Sequence, residues 1–324
     1  MATYRVLVTS WIVEESHPEL ERLRAIGCEI VNERRPSHHT EAEMRALIRG
    51  VDAVIAASDA YTESVLDAAD RLKIIARVGV GYDAIDLKAA TRHGVIVSTT
   101  PGANHEAVAD LAFGLMLALA RYIPLHDRLV RTGTWQRHTG SDVYGKTLGI
   151  LGLGKIGKGM ARRGRGFSMR VVAHDPFWDD AFARSHQVER LPLDDVVRAA
   201  DFLTLHLPAS PDTYHVMNAE RLRMMQPTAF LINTARGTLV DEPALDQALR
   251  EGWIAGAALD VFDKEPPWGS SILERENAIF SPHVAGFSQQ ANQQMVHLAI
   301  ENVVNVLTGQ PPLDCVNRDV LERR

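Results

Sequence analysis

The 324-residue sequence is poor in cysteine, with only Cys28 and Cys315. Two thiols cannot build a disulfide framework, and they suit a reducing compartment. It also lacks a basic excess: 35 Lys and Arg face 41 Asp and Glu, for a net charge of −6. That balance leaves no electrostatic footprint for nucleic acid or an acidic membrane surface. The longest apolar run, 111–120, falls well short of the roughly 20 residues a membrane span needs. No basic, apolar leader precedes the strand-like run at 4–9, so no signal peptide is expected. Repeats and low-complexity segments are missing too. Together these absences predict a cytoplasmic protein with no nucleic-acid or membrane partner, and the length predicts two domains.

What is present is a clear alternation. Hydrophobic residues make up 46% of the chain, and in the first hundred positions they fall in short Val- and Ile-rich runs at 4–8, 53–57, 74–78 and 95–97. Such runs suit parallel strands buried on both faces. Amphipathic stretches at 19–26 and 41–48 lie between them, so this part reads as a doubly wound α/β lobe. A helix over 106–121 is apolar on nearly every face and must be buried, between lobes or in a subunit interface. The polar stretch 131–146 then reads as an arm. A second α/β series follows, with strands at 147–151, 170–174, 202–205, 229–233, 255–259 and 278–280. A closing helix over 289–307 carries the chain back to the first lobe.

Some matches are decoys. Gly140 to Thr147 satisfies the P-loop expression, but a P-loop leaves a strand and enters a helix, and Lys146-Thr147 runs into a strand instead. His105-Glu106 lacks the second histidine of a zinc-protease signature. The adjacent His38-His39 reads as a solvated pair, and no metal site is expected. Gly152-Leu153-Gly154-Lys155-Ile156-Gly157 has the right context, following a strand and opening a helix. Gly152 permits the turn, Gly154 lets backbone approach a pyrophosphate, and Gly157 lets helix and strand pack closely. The helix N-terminus offers free amides to the phosphates. Asp175 ends the next strand, 175 − 152 = 23 positions on, where a carboxylate accepts the ribose hydroxyls of NAD and repels the 2′-phosphate of NADP.

In an open α/β sheet, ligands bind beyond the carboxyl ends of the strands. Those ends carry Gly152, Asp175, His206-Leu207, Thr234-Ala235-Arg236, Asp260 and His283. Oxidising a 2-hydroxy acid needs a base for the hydroxyl proton while nicotinamide takes the hydride. Histidine suits this, and His283 in Ser281-Pro282-His283 is the candidate. Glu265 would stabilise the imidazolium and fix the ring. Arg236, followed by Gly237 for close approach, supplies a bidentate clamp for the substrate carboxylate.

At these residues the chain resembles the D-isomer-specific 2-hydroxyacid dehydrogenases, most of all the 3-phosphoglycerate dehydrogenase branch. The resemblance runs from about residue 71 to 316. It rests on Arg77-Val78-Gly79-Val80-Gly81, the 151–157 loop, the 233–237 segment, the 258–266 run and 281–283. It implies two doubly wound parallel-sheet lobes, a Rossmann NAD domain (101–287) inserted into a flavodoxin-like substrate domain (1–100 plus 288–324). It implies a catalytic triad at Arg236, Glu265 and His283, and NAD contacts at Gly152, Gly154, Lys155, Ile156, Gly157, Asp175, Leu207, Thr234, Ala235, Asp260, Ala285 and Gly286. Substrate contacts fall on Val80, Gly81, Arg236 and His283. The helix and arm at about 103–146 would make a homodimer. The implied reaction is reversible hydride transfer between NAD(H) and a small 2-hydroxy or 2-oxo acid. The alternative is a hydroxypyruvate or glyoxylate reductase; more remote are phosphite oxidation and an NAD-sensing corepressor. The loop Ala56-Ala57-Ser58-Asp59, expected to face the substrate's distal end, supplies no cation and one carboxylate, which disfavours a phosphorylated substrate; the counter-reading is that Arg77, Lys73 or an arm residue of a partner such as Arg137 supplies the charge.

Overall fold

The computed structural model describes residues 4–35 and 38–323. They form two compact units, one built from the residues up to Asn104 together with those from Ser288 onward, the other spanning His105–Phe287.

The first unit holds a five-stranded parallel sheet of β1 (Tyr4–Val8), β2 (Cys28–Asn32), β3 (Ala53–Ala56), β4 (Ile74–Arg77) and β5 (Ile96–Ser98), in the order β2-β1-β3-β4-β5. Its helices are α1 (Leu20–Ala25), α2 (Glu41–Leu47), α3 (Glu63–Asp67) and α4 (Leu87–Arg92). Local chemistry explains their starts. Thr40 and Glu43 form a reciprocal capping box on α2, and Thr62 and Asp86 cap α3 and α4 through their side chains. The central strand β3 is buried along its whole length, as its unbroken apolar run demands. The sheet order is the flavodoxin-like one expected, with its switch point between β1 and β3.

The second unit opens with α5 (His105–Ala120) and α6 (Ile123–Arg131). Its seven strands are β6 (Thr147–Leu151), β7 (Arg170–His174), β8 (Val188–Arg190), β9 (Phe202–Leu205), β10 (Phe230–Asn233), β11 (Gly256–Leu259) and β12 (Ala278–Phe280). They are ordered β12-β11-β10-β9-β6-β7-β8, all parallel, which is the Rossmann order extended by one strand. The helices are α7 (Lys155–Gly166), α8 (Asp180–His186), α9 (Leu193–Ala199), α10 (Ala219–Met224) and α11 (Glu242–Glu251). Finally α12 (Gln289–Leu307), capped by Ser288, belongs to the first unit and packs against β3, β4 and α1.

The edge strands β2 and β8 and the helix α6 were not anticipated. The helix α5 is buried as expected, but it packs on α7, β10 and β11 within its own unit. Seven of its residues, Phe113 and Met116 among them, enter that core. Among the described residues no single helix is long and apolar enough to cross a membrane. The P-loop-like string does run into β6, as its context required.

Candidate active site

Three neighbouring strand ends, those of β10, β11 and β12, carry the residues singled out for chemistry. His283 follows β12 with a left-handed backbone, φ +54°. That conformation is costly for a non-glycine residue and persists only where the surroundings over-determine it. The surroundings are Asp260, fully buried after β11. Its carboxylate accepts from Ser281 Oγ (2.5 Å), Val284 N (2.9 Å) and Ala285 N (2.8 Å), and its carbonyl accepts from His283 N (2.8 Å). Asp260, expected as a cofactor contact, thus already holds the whole 281–285 turn.

His283 Nδ1 lies 2.8 Å from Glu265 Oε2. A carboxylate only accepts, so Nδ1 carries the proton and Nε2 of the neutral ring is the acceptor. Glu265 is fixed in turn by Phe262 N, which donates to Oε1 at 3.1 Å. The pair is open: the side chains of His283 and Glu265 are 45% and 26% exposed.

The loop of Arg236 is clamped by Asn233, fully buried at the end of β10. Its Nδ2 donates to the Arg236 carbonyl (2.8 Å) and its Oδ1 accepts from Ala235 N (3.0 Å). Gly237 does not serve the close approach of a substrate. A Cβ there would lie 1.9 Å from the Phe262 carbonyl carbon and 2.3 Å from Asp263 N. Its missing side chain therefore lets the Arg236 loop seat on the loop that carries Glu265.

The glycine loop fits a dinucleotide. Gly152 has φ +94°, and a Cβ on it would stand 2.5 Å from the His206 carbonyl oxygen. A Cβ on Gly157 would meet Gly152 O at 2.0 Å, whereas one on Gly154 would meet nothing within 4 Å. Gly152 and Gly157 are thus committed to packing, and Gly154, the uncapped N-cap of α7, faces open space, which leaves room for an anion at the helix N-terminus. Lys155 and Ile156 form the first turn of α7. Asp175 accepts from Leu153 N (2.5 Å) and Phe177 N (2.7 Å). It therefore staples the loop and still keeps lone pairs for a ribose. Leu207 packs at the edge of the core, Ala285 is buried and Gly286 follows it. Thr234 is buried with an unpartnered Oγ1.

Val80 and Gly81 belong to the first unit, after β4, where Gly79 exchanges backbone and hydroxyl hydrogen bonds with Thr100. That unit corrects two expectations. His39 is no solvated residue: it is buried, and both its amide (2.8 Å) and its Nδ1 (3.0 Å) meet Asp59 Oδ1. Asp59 is therefore buried and engaged rather than presented to a ligand. Nor does the 56–59 loop lack a cation, since Arg77 Nη2 donates to Ser58 Oγ at 2.6 Å. The charge argument against a phosphorylated substrate loses its premise. Among the described residues no cluster of His, Cys, Asp and Glu could hold a metal ion.

A parallel-sheet unit with a phosphate loop at its switch point and a His–carboxylate pair at its strand ends defines a nucleotide-dependent oxidoreductase. The comparisons agree. Residues 113–285 match the model of the D-isomer specific 2-hydroxyacid dehydrogenase NAD-binding domain, and the chain belongs to that family. It is 42% identical over 285 residues to a glyoxylate reductase of Korarchaeum cryptofilum, covering 86% of each chain. It is 40% identical to a glyoxylate reductase of Thermofilum pendens, covering 100% of this chain and 97% of that one. Among solved structures, the TT0316 protein of Thermus thermophilus superposes with a TM-score of 0.89 at 38% identity, over 96% and 99% of the two chains. An NADPH-dependent glyoxylate/hydroxypyruvate reductase of Sinorhizobium meliloti, bound to NADP and malonate, reaches 0.84 at 32% identity, over 97% and 96%. The chain is thus an NAD-binding oxidoreductase acting on CH–OH donors. These relatives favour the reductase alternative over the phosphoglycerate branch.

Proposed function

We propose that the chain reduces a small 2-oxo acid with NADH, glyoxylate to glycolate or hydroxypyruvate to D-glycerate. The observation that carries this is the His283–Glu265 pair, open to solvent and locked by Asp260. Bound NADH supplies the hydride to the carbonyl carbon. Protonated His283 gives its Nε2 proton to the carbonyl oxygen as charge develops there, and Glu265 stabilises the imidazolium and fixes the ring. Arg236 holds the substrate carboxylate with two donors of fixed geometry. Val80 and Gly81 are proposed as further amide donors to that carboxylate. The residues of the glycine loop, with Asp175, Leu207, Thr234, Ala235, Asp260, Ala285 and Gly286, are proposed to hold the dinucleotide. NADH oxidation with glyoxylate, hydroxypyruvate and 3-phosphohydroxypyruvate side by side tests the reading. A clear kcat/KM advantage for the phosphorylated compound would return the chain to the phosphoglycerate branch.

A second copy of the chain is proposed to cover α6 and the arm that follows. The helix α6 has no buried residue, and Ile123, Val130 and Trp135 are 54%, 58% and 79% exposed. Two exposed apolar side chains on α6 and a third on the arm after it suit an interface. An Ile123→Asp, Val130→Asp double variant that sediments like the wild type would reject it.

A further inference from the structure

Two polar side-chain atoms at the carboxyl edge of the seven-stranded sheet are buried without a hydrogen-bond partner, Nδ1 of His206 and Oγ1 of Thr234. They stand just past the ends of the neighbouring strands β9 and β10. Buried polar groups are almost always satisfied, and an orphan asks what completes it. Thr234 already has a place in the proposed cofactor site; His206 has none.

His206 is held from two sides. Its amide donates to Leu151 O at 2.7 Å, and its carbonyl is the atom that a Cβ on Gly152 would strike. The residue is therefore pressed against the phosphate loop at its turn. Its Nε2 lies 2.9 Å from Oγ1 of Thr204, which is fully buried in β9. Burial pushes the imidazole down to about 3, so the ring is neutral and carries one N–H. With the Thr204 hydroxyl donating to Nε2, that N–H sits on Nδ1, the orphan.

We propose that His206 is a further cofactor-binding residue, whose Nδ1–H donates to a pyrophosphate oxygen of the dinucleotide seated on the 152–157 loop. The inference rests on the NAD reading above. A neutral donor suits this place, because the amino end of α7 already supplies positive potential and would repel a second cation. The hydrogen bond to an anion is charge-assisted, and the strand holds the ring before the ligand arrives.

Calorimetric binding of NADH, ADP-ribose and AMP to the purified enzyme tests it. ADP-ribose carries the pyrophosphate and AMP does not. His206→Leu is expected to weaken NADH and ADP-ribose about 10–100-fold, the worth of a hydrogen bond to a charged group, with AMP changed less than about twofold. His206→Asn, which keeps an N–H near the Nδ1 position, retains most of the affinity. In the wild type, the His206 Nδ1 signal in nitrogen NMR moves when ADP-ribose is added, a readout that requires no variant to fold. Unchanged ADP-ribose binding by His206→Leu, an equal loss for all three ligands, or a stationary Nδ1 signal overturns the proposal. ADP-ribose that fails to bind the wild type sinks the NAD reading instead.

Discussion

Each unit carries a histidine–carboxylate pair beyond the carboxyl ends of its strands, and the two pairs differ in access. His39 and Asp59 meet at 3.0 Å with side chains 4% and 1% exposed. His283 and Glu265 meet at 2.8 Å with side chains 45% and 26% exposed. The first pair joins the segment before α2 to the loop after β3 and has no route to a reactant. The second leaves Nε2 open and spends its backbone on an unfavourable conformation. A hydrogen-bonded His–carboxylate pair is therefore no signature of catalysis by itself. Exposure, and a scaffold that holds a strained residue, separate the pair proposed for catalysis from the structural one.

That contrast is breakable. His283→Ala should lower kcat about 10²–10⁴-fold, the usual worth of general acid–base catalysis, and leave the thermal midpoint nearly unchanged. Near-wild-type turnover would remove His283 from the mechanism. Gly237→Ala comes next. Its Cβ must displace the 262–263 backbone, moving the Arg236 and Glu265 loops apart. A misplacement of about 1 Å can cost about 10²-fold in kcat/KM, whereas Gly154→Ala, facing open space, should spare the fold and weaken NADH binding only. Equal effects of the two alanines would mean that Gly237 separates nothing.

Asp175→Ala should raise the KM for NADH about tenfold, since a hydrogen bond to a charged group is worth about 1.5–3 kcal/mol. It should also narrow the preference over NADPH by relieving repulsion. Because Asp175 staples Leu153, the KM for NADPH should not improve on its wild-type value; a large gain would show that the staple is dispensable.

His39→Ala mirrors the first prediction. It strands a buried carboxylate and should cost about 1–3 kcal/mol of stability, seen as a lower midpoint, with kcat for glyoxylate within about twofold. A kinetic collapse without loss of stability would erase the distinction between the pairs. The smallest effect concerns pH. His206 is neutral when folded, down to about 3, but takes a proton near 6.5 once unfolded. The unfolded state then binds more protons below 6.5, so this contribution to stability is present above that pH and is lost progressively towards 3. Chemical denaturation of the wild type and His206→Asn from pH 7 to 5 should give a shallower decline for the variant.

What the sequence made legible follows from where partners lie along the chain. Strands buried on both faces, such as β3 and β9, announce themselves as unbroken apolar runs. The missed strands β2 and β8 are the exposed edges of their sheets, and Glu29, Glu189 and Arg190 interrupt any such run. The helix α6 opens on Tyr122 in a left-handed turn and buries none of its residues in the unit, so no core contact accounts for its short apolar face. The placement of Arg236, Glu265 and His283 after the ends of β10, β11 and β12 was readable because each sits in a short local motif. His39 was misread because its partner is 20 residues away. Gly237 was misread because the backbone it admits lies across a tertiary contact. Asn233 stood inside a recognised motif, but nothing in its neighbours signals that both ends of its amide are spent on the Arg236 loop.

The chain's discontinuity also sets an order of events during synthesis. The second unit is one uninterrupted stretch, whereas the sheet that begins at β1 needs α12 against β3 and β4. On α12, buried Asn302 gathers the amides of Leu313 and Asp314 from the segment that follows, and Asn317 bonds Val97 N and Val95 O at β5. The earliest strands to leave the ribosome are thus the last to be sealed, and a nascent chain released short of α12 should expose them to chaperones or proteases while its nucleotide-binding unit is already folded.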